Sequence, residues 1–143
     1  MSDSVGWGRR LLPWVPVVAV MAVIFVLSSQ SGLKVSEDPA VDKPFRVSGH
    51  LLAYAVLAGT SLVALSWGRQ PRLRDAAVAL VIAVLYGLSD ELHQSFVPDR
   101  TGRLDDVVTD TVGALIGIGI AWALLTVGTR SRVRSRGSRE EAP

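Results

Sequence analysis

The stretch "AAVALVIAVLYGLSDELHQSF", Ala76 to Phe96, runs without a charge through Leu88 and then turns abruptly polar, with Asp90, Glu91, His93 and Gln94 in its last turns. A soluble amphipathic helix would carry its polar residues along one face at 3.6-residue spacing. Here they are gathered at one end, as in a helix whose surroundings change along its length. About twenty residues as a helix cross the ~30 Å hydrocarbon core of a bilayer. Three more blocks of similar length read the same way: Leu11 to Leu27, Val47 to Trp67 and Val107 to Val127. Neither Val15 to Leu27 nor Leu51 to Leu65 has a charge on any face. With 49% hydrophobic residues in a 143-residue chain, the expected fold is all-α, a four-helix transmembrane bundle. Seventeen apolar residues and no A-x-A-like site make the first block a span rather than a cleaved signal peptide.

Basic residues near span ends are retained on the cytoplasmic side. Ten of the fifteen Lys and Arg lie in the N-terminal tail, the "GRQPRLRD" connector and the C-terminal tail. Both termini are therefore expected in the cytoplasm. The expected layout is a tail over 1–10, a membrane domain over 11–127 and a disordered basic tail over 128–143. That tail reads as a topology anchor near anionic lipid, so nucleic acid is not an expected partner. The absence of cysteine excludes disulfide and thiolate chemistry.

This topology puts the polar chemistry at the outer end of the bundle. Charge at membrane depth is costly and turns toward partners or a wet cavity. On a helix Tyr86, Asp90 and His93 share one face, with Gln94 beside it. Asp106, Asp110, Gly113 and Gly117 share another, and Arg46, His50 and Tyr54 fall at i, i+4 and i+8. Three helices thus aim polar residues at one outer pocket. "GALIG", Gly113 to Gly117, is a small-xxx-small step permitting close helix approach, from which Gly113→Leu is expected to impair folding and Ala121→Leu to do little.

These residues resemble the VanZ-like family of bacterial membrane proteins. The resemblance is carried by Ser28, Ser29, Gln30 and Gly32; by Arg46, His50, Tyr54 and Leu57; by Asp90, Glu91, His93 and Gln94 with Phe96 and Pro98; and by Arg100, Gly102, Asp106, Asp110, Gly113 and Gly117. It implies a multi-pass protein of the bacterial plasma membrane, linked to the cell envelope and to glycopeptide (teicoplanin) tolerance. The chain departs from it at Val47, where many members carry lysine, and at Asp110, often asparagine.

Two chemistries suit the pocket. In the first, Arg46, Arg100 and Arg103 clamp an anionic lipid or lipid-linked envelope precursor, with Tyr54, Gln94 and Asp110 lining the site. His50 or His93 then serves as nucleophile or general acid, oriented by Asp90, Glu91 or Asp106. Glu91, His93, Asp106 and Asp110 allow a divalent metal as a variant, but no metal ligand or cofactor is assigned. In the second, the cluster is a buried ion-pair network of a non-enzymatic binding or structural module. Whether the protein is an enzyme is left open at this stage.

Overall fold

A computed structural model describes residues 11–31, 36 and 38–140, with the backbone alone at 39 and 129–140. All of its regular structure is helical. A single 3-10 turn, Leu12–Trp14, leads into α1, Val15–Ser28; then follow α2, Pro39–Leu65, α3, Leu73–Gln94, and α4, Leu104–Glu140. Three of these contain stretches long and apolar enough to cross a membrane: Ala40–Leu65, Leu73–Gln94 and Leu104–Gly128. The apolar helix Leu12–Ser28 is shorter. At 1.5 Å per residue it reaches about 25 Å. Large apolar side chains such as Val18, Phe25, Leu52, Leu85, Ile116 and Leu124 are exposed on the bundle's outside. The molecule is a membrane helical bundle.

Two boundaries differ from the sequence reading. α2 begins at Pro39, well before Val47, so the second half of the expected first loop is helix. The start signal was present: Asp38 accepts a hydrogen bond from the Ala40 N–H at 2.9 Å, and Pro39 occupies the first helical position. Pro44 lies inside the first turns, where it removes one backbone N–H. At the other end, the backbone stays helical through Glu140, where a disordered tail was expected from residue 128. Residues 1–10 of the expected N-terminal tail lie outside the described residues.

Lipid offers no hydrophobic drive between helices, so close packing of small residues joins them. The α2–α4 seam shows how. Gly113 rests on the backbone of Leu51, Gly117 on that of Ala55, and a β-carbon at either glycine would overlap a carbonyl. Gly59 of α2 faces Gly117 in return. Ala58, Ala114, Ala79 and Ala83 are buried alongside. Ala121 is also buried, packed with Leu62 and Ala79, so Ala121→Leu would crowd the core rather than do little. α1 packs more lightly, with Val17, Ile24 and Ser28 buried.

The connector between α2 and α3 is closed by Arg69. Its guanidinium donates to both oxygens of Asp75 at 2.7 Å and to the Leu65 carbonyl at 2.9 Å. Asp75 also accepts the Arg72 N–H at the start of α3. At the opposite end, the 95–103 connector contains Asp99 with a left-handed φ of 62°. There Gly102 lies against the Glu91 carbonyl with no room for a β-carbon.

Candidate functional site

The polar residues of α2, α3 and α4 meet at the end of the bundle nearest the 95–103 connector. Helical spacing in α2 places Arg46, His50 and Tyr54 on successive turns of one face. Each finds a different surrounding. Arg46 Nη1 donates to Asp106 Oδ2 at 2.8 Å, and His50 Nδ1 donates to Asp110 Oδ1 at 2.8 Å. Both bonds tie α2 to α4. Tyr54 is 1% exposed, and its hydroxyl has no hydrogen-bond partner among the described residues. Asp110, equally buried, leaves its second oxygen Oδ2 unpartnered. Buried polar atoms are nearly always satisfied, so two orphans side by side mark this end as unusual.

From α3, Glu91 reaches the same centre. One nitrogen or oxygen each of His50, Glu91 and Asp110 lie within 4.8 Å of one another. Glu91 Oε2 accepts the Arg103 backbone N–H at 2.6 Å. Asp90 Oδ2 accepts from Gln94 Nε2 at 2.9 Å, and both side chains are buried. Gly87, one turn before Glu91, gives Asp110 its room: a β-carbon there would stand 3.3 Å from Asp110 Oδ2 and 3.4 Å from the Tyr54 ring.

A cleft of about 220 Å³ lies beside this centre, between α1 and α2. Its polar and charged lining includes Asp42, Arg46, His50, Tyr54, Asp90, Gln94 and Arg100. Exposed Leu27 and Phe45 form an apolar rim, and buried Ile24 also lines the cleft. Arg100 holds the α1 wall. Its Nε donates to the Gln30 carbonyl at 3.1 Å and its Nη2 to the Leu27 carbonyl at 3.2 Å, while Nη1 reaches Gln94 Oε1 at 3.4 Å. Arg46 has one ion-pair partner among the described residues, Asp106, and its side chain is about one third exposed. It therefore retains donors for an anion in the cleft.

Nine of the eleven expected site residues are thus gathered here: Arg46, His50, Tyr54, Asp90, Glu91, Gln94, Arg100, Asp106 and Asp110. Two are not. His93 turns to α1, stacked on Phe25 with ring centroids 4.7 Å apart and its Nε2 3.0 Å from Ser29 Oγ. The single Ser29 hydroxyl proton goes to the Phe25 carbonyl at 2.6 Å, so His93 Nε2 is the donor of that bond. The Arg103 guanidinium leaves the site for exposed Asp105, at 3.2 Å. A face shared by Tyr86, Asp90 and His93 divides in the same way, since the Tyr86 hydroxyl donates to the Met21 carbonyl of α1. Sequence reasoning missed Gly87 and the rim residue Phe45. The signal for Gly87 was the spacing of Ala79, Ala83, Gly87 and Glu91, a stripe of small residues ending in an acid.

A protein-family model described as VanZ/LLP1 matches residues 13–126 of the chain. No curated protein and no solved structure gives a match.

Proposed function

The chain belongs to the VanZ/LLP1 family, and from that premise we propose that it is a multi-pass protein of the bacterial plasma membrane whose outer cleft binds the anionic headgroup of a lipid or lipid-linked envelope precursor. Both termini lie in the cytoplasm in this reading, following the distribution of arginines. The light packing of α1 allows its short apolar helix to serve as a fourth span. Glycopeptide tolerance follows as the effect of holding or altering such a precursor.

The observation that carries the reading is the cleft's composition. An apolar rim suits acyl or prenyl chain, and behind it Arg46 offers guanidinium donors in fork geometry, which match phosphate. A soluble ligand would gain nothing from exposed Leu27 and Phe45 at the entrance. The alternative, a purely structural network, draws on the two bridges from α2 to α4.

Retention of anionic lipid by the purified protein separates the two. Phosphatidylglycerol measured by native mass spectrometry should be lost about tenfold in Arg46→Gln, since a charge-assisted contact contributes ~1.5 to 3 kcal/mol. Asp106→Asn keeps the Arg46 guanidinium and should keep the lipid. Equal loss of lipid and of membrane abundance in both variants would leave only the structural network. Reporter fusions at Ser36 and after Glu141 test orientation, which an external C-terminus would reverse.

A further inference from the structure

The centre behind the cleft has an imbalance that hydrogen bonds do not remove. Asp90, Glu91, Asp106 and Asp110 are all buried, and the guanidiniums of the same cluster are those of Arg46 and Arg100. Arg46 is committed to Asp106, while Arg100 contacts Gln94 and two carbonyls rather than a carboxylate. With His50 neutral and all four carboxylates ionised, the described residues of the cluster leave two negative charges without a counter-charge at membrane depth. Uncompensated buried charge is among the most costly arrangements in a protein.

We propose that His50, Glu91 and Asp110 bind one first-row divalent cation of the Zn2+ or Mn2+ class. The cation's two positive charges equal the deficit. One imidazole and two carboxylates suit these ions, whereas Ca2+ and Mg2+ favour all-oxygen sets. The geometry is close to that required. His50 Nδ1 and Asp110 Oδ1, 2.8 Å apart, become neighbouring ligands of one ion about 2.1 Å from each once the proton between them is displaced. The Glu91 donor stands within 4.8 Å of both, a gap that a side-chain adjustment closes.

A second observation points to the same place independently of charge. Asp110 Oδ2, the second oxygen of that carboxylate, is buried with no partner among the described residues, and Gly87 leaves room beside it. Glu91 Oε2 accepts the Arg103 N–H, the kind of contact that orients a metal-ligating carboxylate. His50 also lines the cleft, which supplies an entry path. Three ligands from three helices leave coordination positions open, so the ion is also placed to meet a headgroup phosphate. The metal site stands without the lipid reading, because the test below contains no lipid ligand.

The full-length protein, purified in detergent and stripped with chelator, is titrated with Zn2+ alone and with Mn2+ alone. The expected result is one tightly held equivalent in the unaltered chain. Affinity should fall at least ~100-fold in Asp110→Asn and in His50→Gln, beyond the loss typical of outer-contact changes. Asp105→Asn, altering an exposed carboxylate outside the cluster, should bind as the parent does. No bound metal in the folded parent overturns the proposal, and so does undiminished binding by the folded variants. Should both variants fail to fold, His93→Gln leaves His50 as the only histidine. Imidazole-nitrogen coupling in the electron-spin-echo spectrum of that protein loaded with Cu2+ supports the site, and its absence overturns it.

Discussion

Each end of the bundle is closed by an arginine that reaches back to the carbonyls ending a helix, and the two are used differently. Arg69 meets the Leu65 carbonyl and is fully matched by Asp75, two bonds at 2.7 Å. Arg100 meets the Leu27 and Gln30 carbonyls and reaches Gln94, with no carboxylate bound among the described residues. Around Arg69 the buried hydroxyls of Ser61 and Ser66 return to their own helix at 2.7 Å. Around Arg100 lie four buried carboxylates and two orphaned polar atoms. The same device thus produces a sealed end and an unfinished one. A protein that needed only to fold would have finished both, and the unfinished end is the one to which the lipid and metal proposals assign a ligand.

The largest effect should come from the seam that joins the ends. Gly117→Leu drives a side chain into the Ala55 carbonyl, which backbone cannot yield without separating α2 from α4. Such a change breaks the Arg46 and His50 bridges along with the packing, and overpacking alone typically costs ~1 to 3 kcal/mol. Membrane abundance should drop several-fold. Gly119, two residues on, faces open space: a β-carbon there would meet nothing within 4 Å, so Gly119→Leu should be tolerated. Comparable abundance of the two variants would contradict the seam.

A smaller effect, confined to the unfinished end, distinguishes the two histidines. His50→Gln removes the partly buried hydrogen-bond partner of Asp110, while His93→Gln removes the stack on Phe25 and the more exposed bond to Ser29 Oγ, both on α1. His50→Gln should abolish the phenotype, glycopeptide susceptibility being the readout, and lower thermal stability by more than His93→Gln does. Loss of phenotype in His93→Gln at full abundance would move the functional centre toward α1.

The contrast between the ends was only half legible in the sequence. Segregation of charge at the ends of apolar runs located the apolar helices, because a hydrocarbon core leaves few ways to place Asp90 or Asp110. It also gathered most of the site, since residues at i and i+4 on three helices must converge where those helices meet. What it did not resolve was rotation. Asp90, Glu91, His93 and Gln94 fall within little more than one turn of one helix, and which neighbour each meets depends on how α3 turns against α1 and α4. The depth of Gly87 and Gly113 settles that rotation, through backbone contacts that spacing alone does not reveal. The early start of α2 was written in "EDPAVDKPF", where Asp38 and Pro39 form a helix-start signal, yet the polar composition read as loop.

The smallest effect should lie at the sealed end, and it sharpens the comparison because the bonds there are the better ones. Arg69 is exposed to solvent, so its attraction to Asp75 is screened and competes with water however good its geometry. The hydrogen bonds to Asp75 hold the Arg69 guanidinium above the usual arginine pKa, outweighing its slight desolvation. A raised value means the contribution to stability is fully present below the ordinary arginine range and is lost only as pH climbs through the raised one. No working pH reaches that point, so the Arg69 contribution should be flat from neutral to alkaline pH and should fall only in acid, where the Asp75 carboxylate takes up a proton. Arg69→Gln should therefore lower the thermal midpoint less than Gly117→Leu or His50→Gln does, and the difference should shrink between about 50 mM and about 500 mM salt. A loss as large as that of His50→Gln, or one indifferent to salt, would show that the connector carries buried rather than surface electrostatics, and the sealed end would then need the same scrutiny as the open one.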